Sequence, residues 1–299
     1  MKYLRKILKE PEMAGIYFMV LTASLWPAEL YIKIFYYLHL KKWPDLKTPH
    51  TFSEKLNWLK LHDRNPLYTK LTDKYAVKDY VSRKIGVDKV VPLLGVWNSF
   101  DEIDFDHLPE RFVLKCTHDS GGFMICKDKS TFSKVKARSF FNRELRKNYY
   151  WNKREWPYKD IQPRIIAEKY LEDGNGDALT DYKFFCFNGE PKMMYISKDV
   201  SADPRTDFFD MDWNYLPFKF KDPHAEVRPS MPDKFEEMKE IARTLSKGIP
   251  HVRVDMYLIN NHIFFGEMTF FHLSGFFSVT PDEWDDIIGG WLDLKKYDA

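Results

Sequence analysis

A chain of 299 residues with 44% hydrophobic and 17% aromatic side chains holds one large or two modest domains and buries a real core, which excludes a disordered protein. Its 46 basic residues against 44 acidic ones leave a formal charge of +2, so no sequence-wide field argues for bulk nucleic-acid or lipid binding, and phosphate recognition must rest on local charge. The cysteines, Cys116, Cys126 and Cys186, form no C-x-x-C pair; this odd set fits a reducing cytosol and argues against a disulfide framework or structural zinc.

The N-terminus joins a basic start (Lys2, Arg5, Lys6, Lys9) to a stretch from Ile16 to Leu40 rich in Leu, Ile, Phe, Tyr and Trp. Its apolar run, Ala14 to Trp26, is too short to span a bilayer. Pro27, Glu29 and Lys33 interrupt any extension, and no small-residue cleavage site follows. Helices packed on a cytoplasmic protein are expected over residues 1–50; amphipathic helices resting on the inner membrane face are the alternative. Helical character continues to about residue 85, where Tyr75, Val77, Tyr80, Val81 and Ile85 recur at helical spacing.

From Val90 short β-rich runs take over: Phe112 to Lys115, Phe123 to Cys126, Arg164 to Glu168 and Tyr182 to Phe187. Asn188-Gly189 joins the last of these to Pro191–Ile196, and Asn260-Asn261 joins Val252–Leu258 to Ile263–Glu267, both as antiparallel hairpins. Pro232 to Ser246 reads as an amphipathic helix stopped by Gly248, and a last helix is expected over Pro281 to Lys296. Helices mixed with antiparallel strands, without βαβ alternation, define an α+β protein.

Four segments carry chemistry. In Phe112-Val-Leu-Lys-Cys-Thr-His-Asp-Ser-Gly-Gly122 a strand delivers Lys115 to a loop whose adjacent glycines let backbone amides approach an anion; a plain hairpin turn beside an exposed lysine is the alternative. Arg164 to Leu171 is an apolar strand ending in Glu168, Lys169, Tyr170 and Leu171, with Glu172 and Asp173 beyond, an exit that could frame a flat adenine or be ordinary core. Alternation puts Asp181 and Lys183 on one strand face, lining either solvent or a polar cleft. In the 252–269 hairpin Arg253 and Asp255 share a face with Glu267 and Thr269 of the returning strand. Two carboxylates and a hydroxyl are hard oxygen ligands suited to Mg²⁺ at nucleotide phosphates, with Arg253 for transition-state charge; a structural hairpin with one salt bridge is the competing reading.

The runs T-F-S-E-K-L-N-W-L-K (51–60), D-R-N-P-L-Y (63–68), D-K-Y-A-V-K-D-Y-V (73–81), P-L-L-G-V-W (92–97), F-V-L-K-C-T-H-D-S-G-G (112–122), R-E-W-P-Y-K (154–159), D-Y-K-F-F-C-F-N-G (181–189) and V-R-V-D-M-Y (252–257) together resemble the TupA-like ATP-grasp family, associated with teichuronopeptide and capsular polysaccharide synthesis. The resemblance covers roughly residues 48–295. It implies an ATP-grasp fold over 51–299, two α+β subdomains clasping ATP: about 90–170 with a lid, and about 171–299 with the metal site. It implies that Lys74 and Lys115 hold phosphates, that His118, Ser120, Gly121 and Gly122 form the lid, and that Glu168 to Leu171 form the adenine hinge. Asp181 and Lys183 would then correspond to a D-x-R strand, and Arg253, Asp255 and Glu267 to the R-x-D and E-x-N signature of Mg²⁺ ligands. Thr269 stands where asparagine is usual, and Phe271-His-Leu-Ser-Gly275 where T-P-G-S-G is common.

The implied reaction is carboxylate–amine ligation through an acyl phosphate. Lys115, Lys183 and Mg²⁺ would neutralise the γ-phosphate, Arg253 would stabilise the tetrahedral oxyanion, and His118 or His272 would be the candidate general base. Implied partners are a small or lipid-linked saccharide and an amine or carboxylate co-substrate, with no nucleic acid. A glycosyltransferase is the alternative, prompted by the D-x-D triplet Asp210-Met-Asp212, and a non-catalytic nucleotide-binding protein is a third reading.

Overall fold

The computed structural model describes residues 11–172, 179–198 and 204–296; the basic residues Lys2, Arg5, Lys6 and Lys9 and the acidic Asp173 lie outside the described residues. Helices come first: α1 (Pro11–Leu21), α2 (Ala28–Leu40), α3 (Phe52–His62), α4 (Leu67–Thr72) and α5 (Ala76–Ile85). Helix α3 starts at a capping box, with the Thr51 side chain accepting from the Glu54 amide and the Glu54 carboxylate answering the Thr51 amide. That fixed start lays Phe52 against Phe185, Phe187, His251 and Phe277, which ties the helical region to the later sheet.

Strands β1 (Leu93–Trp97), β2 (Phe112–Cys116), β3 (Phe123–Cys126) and β4 (Ile165–Lys169) form an antiparallel sheet in the order β1-β4-β2-β3. Between β3 and β4 lie α6 (Lys134–Glu144), capped by Ser133, and the single turn α7 (Tyr150–Lys153). Phe141 and Ala137 of α6 close this sheet's own core with Phe100, Phe112 and Leu114.

A six-stranded antiparallel sheet follows, in the order β10-β9-β5-β6-β7-β8, from β5 (Thr180–Phe187), β6 (Glu190–Lys198), β7 (Thr206–Asp210), β8 (Tyr215–Leu216), β9 (His251–Ile259) and β10 (His262–Thr269). Both expected hairpins are present, and their turns use left-handed residues: Asn188 and Gly189 at φ 52° and 84°, Asn260 and Asn261 at 49° and 61°. One face of this sheet is covered by α8 (Phe235–Ser246), whose Phe235, Met238, Ile241, Ala242 and Leu245 are buried in the largest core. Each of its larger side chains contributes about 1.5–3 kcal/mol of burial. A third cluster joins α1 and α2 to Phe276.

The chain departs from expectation at its C-terminal end, where the helix α9 covers only Glu283–Gly290 and a 3-10 turn follows at Leu294–Lys296. The reason is Gly289-Gly290: Gly289 lies so close to the His50 carbonyl that a Cβ would come within 2.2 Å of it, so the helix is pressed on the chain before α3 and ends at the glycine pair. Strands β1, β7 and β8 and helix α6 are additions to the sequence reading. No described helix is long and apolar enough to cross a membrane. The three cysteines are free and buried.

Candidate active site

Register makes the central cluster. Lys183 on β5 is opposite Asp255 on β9, Asp255 is opposite Glu267 on β10, and Arg253 is opposite Thr269. The β9–β10 register shifts between Phe265 and Glu267, at Gly266, whose missing side chain leaves room for the Asp255 carbonyl that a Cβ would approach to 3.0 Å. The shift carries Glu267 and Thr269 to the side that Arg253 occupies.

Asp255 is 1% exposed and takes a forked pair of bonds from Arg253, Nε to Oδ1 at 2.7 Å and Nη2 to Oδ2 at 2.6 Å, plus Lys183 Nζ at 2.9 Å. Burial alone would raise its pKa, but Arg253 and Lys183 hold it below the ordinary carboxylate value. Asp181 meets Lys183 at 3.1 Å, and its burial, against the pull of Lys183, pushes its pKa up to about 6. Arg253 also donates to Thr269 Oγ1 at 3.1 Å, to Glu267 Oε1 at 3.4 Å and to His272 Nδ1 at 2.9 Å. Glu267 is the open member, with half its side chain exposed.

A second cluster lies on the smaller sheet. Glu168, buried on β4, is clamped by Lys115 of β2 at 2.6 Å and by Lys78 of α5, which also donates to the Val91 carbonyl at 2.9 Å. Burial opposes ionisation of Glu168, yet the two lysines hold its pKa below normal. Its carboxylate therefore serves the lysines, and only Lys169, Tyr170 and Leu171 carry the strand exit; Tyr170 lies under the Arg111 guanidinium at 5.3 Å.

The loop His118 to Gly122 is the turn between β2 and β3, closed by Cys116 N–H to the Gly122 carbonyl at 2.7 Å. Gly121 is left-handed (φ 94°), and a Cβ on Gly122 would strike the Asp119 carboxylate at 1.9 Å. Lys74 donates to the Asp119 carbonyl and meets its carboxylate at 3.5 Å, so this lysine is tied to the loop. Ser120 is exposed and shares a hydrogen bond with Tyr149. His118 is buried, with Nε2 facing the Glu144 carbonyl at 3.3 Å.

The two sheets meet where Val90, ahead of β1, bridges Phe265 of β10. The Tyr257 hydroxyl on β9 is pushed well above its usual range, first by burial and then by the charges of Asp181, Glu267, Asp255 and Glu168. The smaller sheet and α5 thus carry Lys115 and Lys78, with Lys74 at the β2–β3 loop, and the larger sheet carries Lys183, Arg253, Asp255 and Glu267.

His272 is not available as a base in this arrangement. Its Nδ1 accepts from Arg253, which leaves the proton on Nε2, and burial followed by the Arg253 charge pushes its pKa well below the usual value. The D-x-D triplet has a structural role as well. The Asp210 carboxylate accepts from the Asp212 amide, the Asn214 amide and the Asn214 side chain, closing the β7–β8 turn.

The sequence reading missed a buried network under the loop after Thr269. Leu273, Ser274 and Gly275 are all left-handed, at φ 45°, 57° and 66°. Lys60, 1% exposed, holds this turn by donating to the Ser274 carbonyl at 2.5 Å, Asn57 Oδ1 at 2.9 Å and the Lys153 carbonyl at 3.1 Å. Three donors meet three acceptors, so we assign Lys60 as an ammonium although burial lowers its pKa and only Glu155 raises it. The Ser274 hydroxyl donates to Glu155 Oε1 at 2.5 Å. Two charges at 60 and 155 were visible in the T-F-S-E-K-L-N-W-L-K and R-E-W-P-Y-K runs, but nothing local says that they meet.

The two antiparallel sheets, each with its own charged cluster, belong to an ATP-grasp protein. The chain matches the TupA-like ATPgrasp family over residues 54–293 and belongs to that family. Comparison with curated proteins found no match. Among solved structures, the chain is similar to a D-alanine–D-alanine ligase from Bacillus anthracis (16% identity, 67% of this chain and 57% of that one, TM-score 0.40). It is also similar to one from Helicobacter pylori (14%, 73% and 61%, 0.40) and to an N5-carboxyaminoimidazole synthase from Aspergillus clavatus (13%, 67% and 44%, 0.37). The match spans between 44% and 61% of the length of those three chains.

Proposed function

We propose that this protein is an ATP-dependent carboxylate–amine ligase acting in the cytoplasm, at the inner membrane face, on a precursor of a bacterial surface polysaccharide. The observation that carries the reading is the cluster Lys183–Asp255–Arg253–Glu267 on the larger sheet, together with the Lys115–Glu168–Lys78 cluster on the smaller one. In this reading the region of about 90–170 is the first nucleotide-binding subdomain and 171–299 the second, with the Lys169 to Leu171 exit at the adenine.

In this reading the oxygens at 255, 267 and 269 are the Mg²⁺ ligands, with Asp255 joining only as it releases Lys183 or Arg253, since both its oxygens are bonded here. Asp181, Asp255 and Glu267 outnumber Lys183 and Arg253, so the cluster has room for added positive charge, and Glu267 presents a half-exposed oxygen beside the Thr269 hydroxyl at 3.2 Å. Asp255, Glu267 and Thr269 would hold the ion, whose chemistry when bound is neutralisation of phosphate oxygens. Lys115 and Lys183 orient the triphosphate and offset the charge of the transferring γ-phosphoryl group. The substrate carboxylate attacks that phosphorus, ADP leaves, and an amine then displaces phosphate from the acyl phosphate to give the amide. In this reading Arg253, held by Asp255 and His272, would supply its positive charge to the oxyanion of that second step.

The test is ADP release with Mg²⁺-ATP against a panel of uronic acids, amino sugars and amino acids. Release that depends on one carboxylate and one amine together, with amide formed in equal amount, is the expected result. A larger thermal stabilisation by a UDP-sugar with Mn²⁺ than by ATP with Mg²⁺ would overturn it.

A further inference from the structure

The near-neutral total charge hides an uneven distribution. Residues 134–159 carry nine basic residues against two acidic ones, Glu144 and Glu155, an excess of seven in a chain whose total is +2. Glu144 pairs with Arg143 at 2.9 Å and Lys147 at 2.6 Å and offsets one of their charges, and Asp101 pairs with Arg138 at 3.0 Å; Arg154 and Glu155 are both buried, so the outer part of the segment keeps eight cations against Glu144. Four more cations, Lys2, Arg5, Lys6 and Lys9, precede α1 in the sequence.

This basic segment is bolted to the most exposed apolar residues of the N-terminal helices. Arg154 is buried and donates to the Ala23 carbonyl at 2.5 Å and the Trp26 carbonyl at 3.0 Å, while Tyr31 donates to the Asn152 carbonyl at 2.6 Å. Next to that junction Phe18, Leu21 and Leu25 stand 58%, 84% and 79% exposed, at the end of α1 and in the turn after it. Trp151 of α7, over which Arg154 stacks at 4.9 Å, is also partly exposed. Three large apolar side chains at one helix end face water at clear cost, and the turn that carries Trp151 and Lys153, at the end of the basic segment, packs beside them.

We infer that this face docks on an anionic lipid surface, with Phe18, Leu21 and Leu25 entering the acyl boundary, Trp151 at the headgroup level and the 143–153 cations over the phosphates. A bilayer rich in acidic headgroups matches both halves of the face, apolar below and negative at the rim, whereas a second copy of this chain would bring its own excess of cations to the contact. The docking face lies close to the loop after Thr269, because Lys153 and Glu155 of the same segment hold Lys60 and Ser274. The inference rests on the ligase reading only for this last relation: a substrate at the membrane would be delivered to the loop after Thr269.

The experiment is vesicle co-sedimentation of the full chain without nucleotide or substrate, so its failure is separate from failure of the ligase assignment. The chain should pellet with phosphatidylglycerol-containing vesicles, pellet little with pure phosphatidylcholine, and lose binding as salt rises. Leu21→Asp with Leu25→Asp should cut the bound fraction at least about tenfold at an unchanged melting temperature, since both side chains are exposed. Arg146→Glu with Lys147→Glu should weaken binding to the acidic vesicles and leave the phosphatidylcholine value unmoved. Equal pelleting of wild type and the Leu21→Asp, Leu25→Asp chain would overturn the inference. So would no pelleting with either vesicle, alone or together with a dimer in sedimentation velocity that the aspartates dissolve.

Discussion

Replacing Asp255 and Glu267 one at a time separates metal binding from scaffolding. Asp255→Asn removes the charge that receives two bonds from Arg253 and one from Lys183, all at 2.6–2.9 Å, in a site 1% exposed. Breaking a buried pair by removing one partner costs about 3–5 kcal/mol. Here Lys183 keeps Asp181 and Arg253 keeps Glu267, Thr269 and His272, so the loss falls near the lower end, at about 3 kcal/mol. Glu267→Gln is different in kind: its carboxylate is half-exposed and meets Arg253 only at 3.4 Å, a contact in the range of about 0–1 kcal/mol. Urea unfolding should therefore show a large loss for Asp255→Asn and almost none for Glu267→Gln, while ADP production falls by orders of magnitude in both. A Glu267→Gln protein with near-normal turnover refutes the Mg²⁺ assignment, and an Asp255→Asn protein as stable as wild type refutes the burial argument.

Other outcomes follow from the same geometry. Lys60→Met and Glu155→Gln should each destabilise by about 3 kcal/mol, with the double variant less harmed than their sum because no uncompensated charge remains; additivity within about 0.5 kcal/mol in urea unfolding would contradict the coupling. Lys115→Met should weaken Mg²⁺-ATP binding at least about tenfold in calorimetry with the fold intact, since Lys78 still holds Glu168. Asp181, with its folded pKa raised to about 6, binds more protons in the folded than in the unfolded chain between the unfolded carboxylate value and that point. Its contribution to stability is therefore lost as pH rises through that window, and Asp181→Asn should flatten the decline seen in melting curves. Asp210→Ala should destabilise the β7–β8 turn by about 1–2 kcal/mol and leave Mn²⁺ or UDP binding unaltered, which calorimetry checks.

What could be read from sequence was whatever is encoded within one strand or one hairpin. Alternation placed Asp181 beside Lys183 and Arg253 beside Asp255, and the Asn-Asn turn paired β9 with β10, while the register shift at Gly266 that sets Asp255 opposite Glu267 was not legible in the sequence. Family resemblance supplied the ATP-grasp fold. Contacts between distant segments were out of reach. Lys78 was passed over for its neighbour Lys74, yet it is Lys78 that reaches Glu168; the choice depends on how α5 packs on β4, not on spacing. His272 was weighed as a base because an isolated sequence cannot show that Arg253 occupies its Nδ1. The 134–159 excess of charge was countable from the start, and averaging over the whole chain concealed it.

The clamp on Glu168 has a consequence for turnover. Without nucleotide, Lys115 is not waiting bare in the cleft; it is engaged at 2.6 Å by a carboxylate that Lys78 keeps ionised. In the proposed ligase a triphosphate would have to displace that internal counter-ion to recruit the lysine, and Glu168 would reclaim it as the phosphates depart. On that proposal part of the attraction for nucleotide would be surrendered in advance, lowering affinity for substrate and product alike and shortening the time ADP stays bound. Glu168→Gln should reverse the compromise, holding ADP longer and making its dissociation the slow step of the cycle.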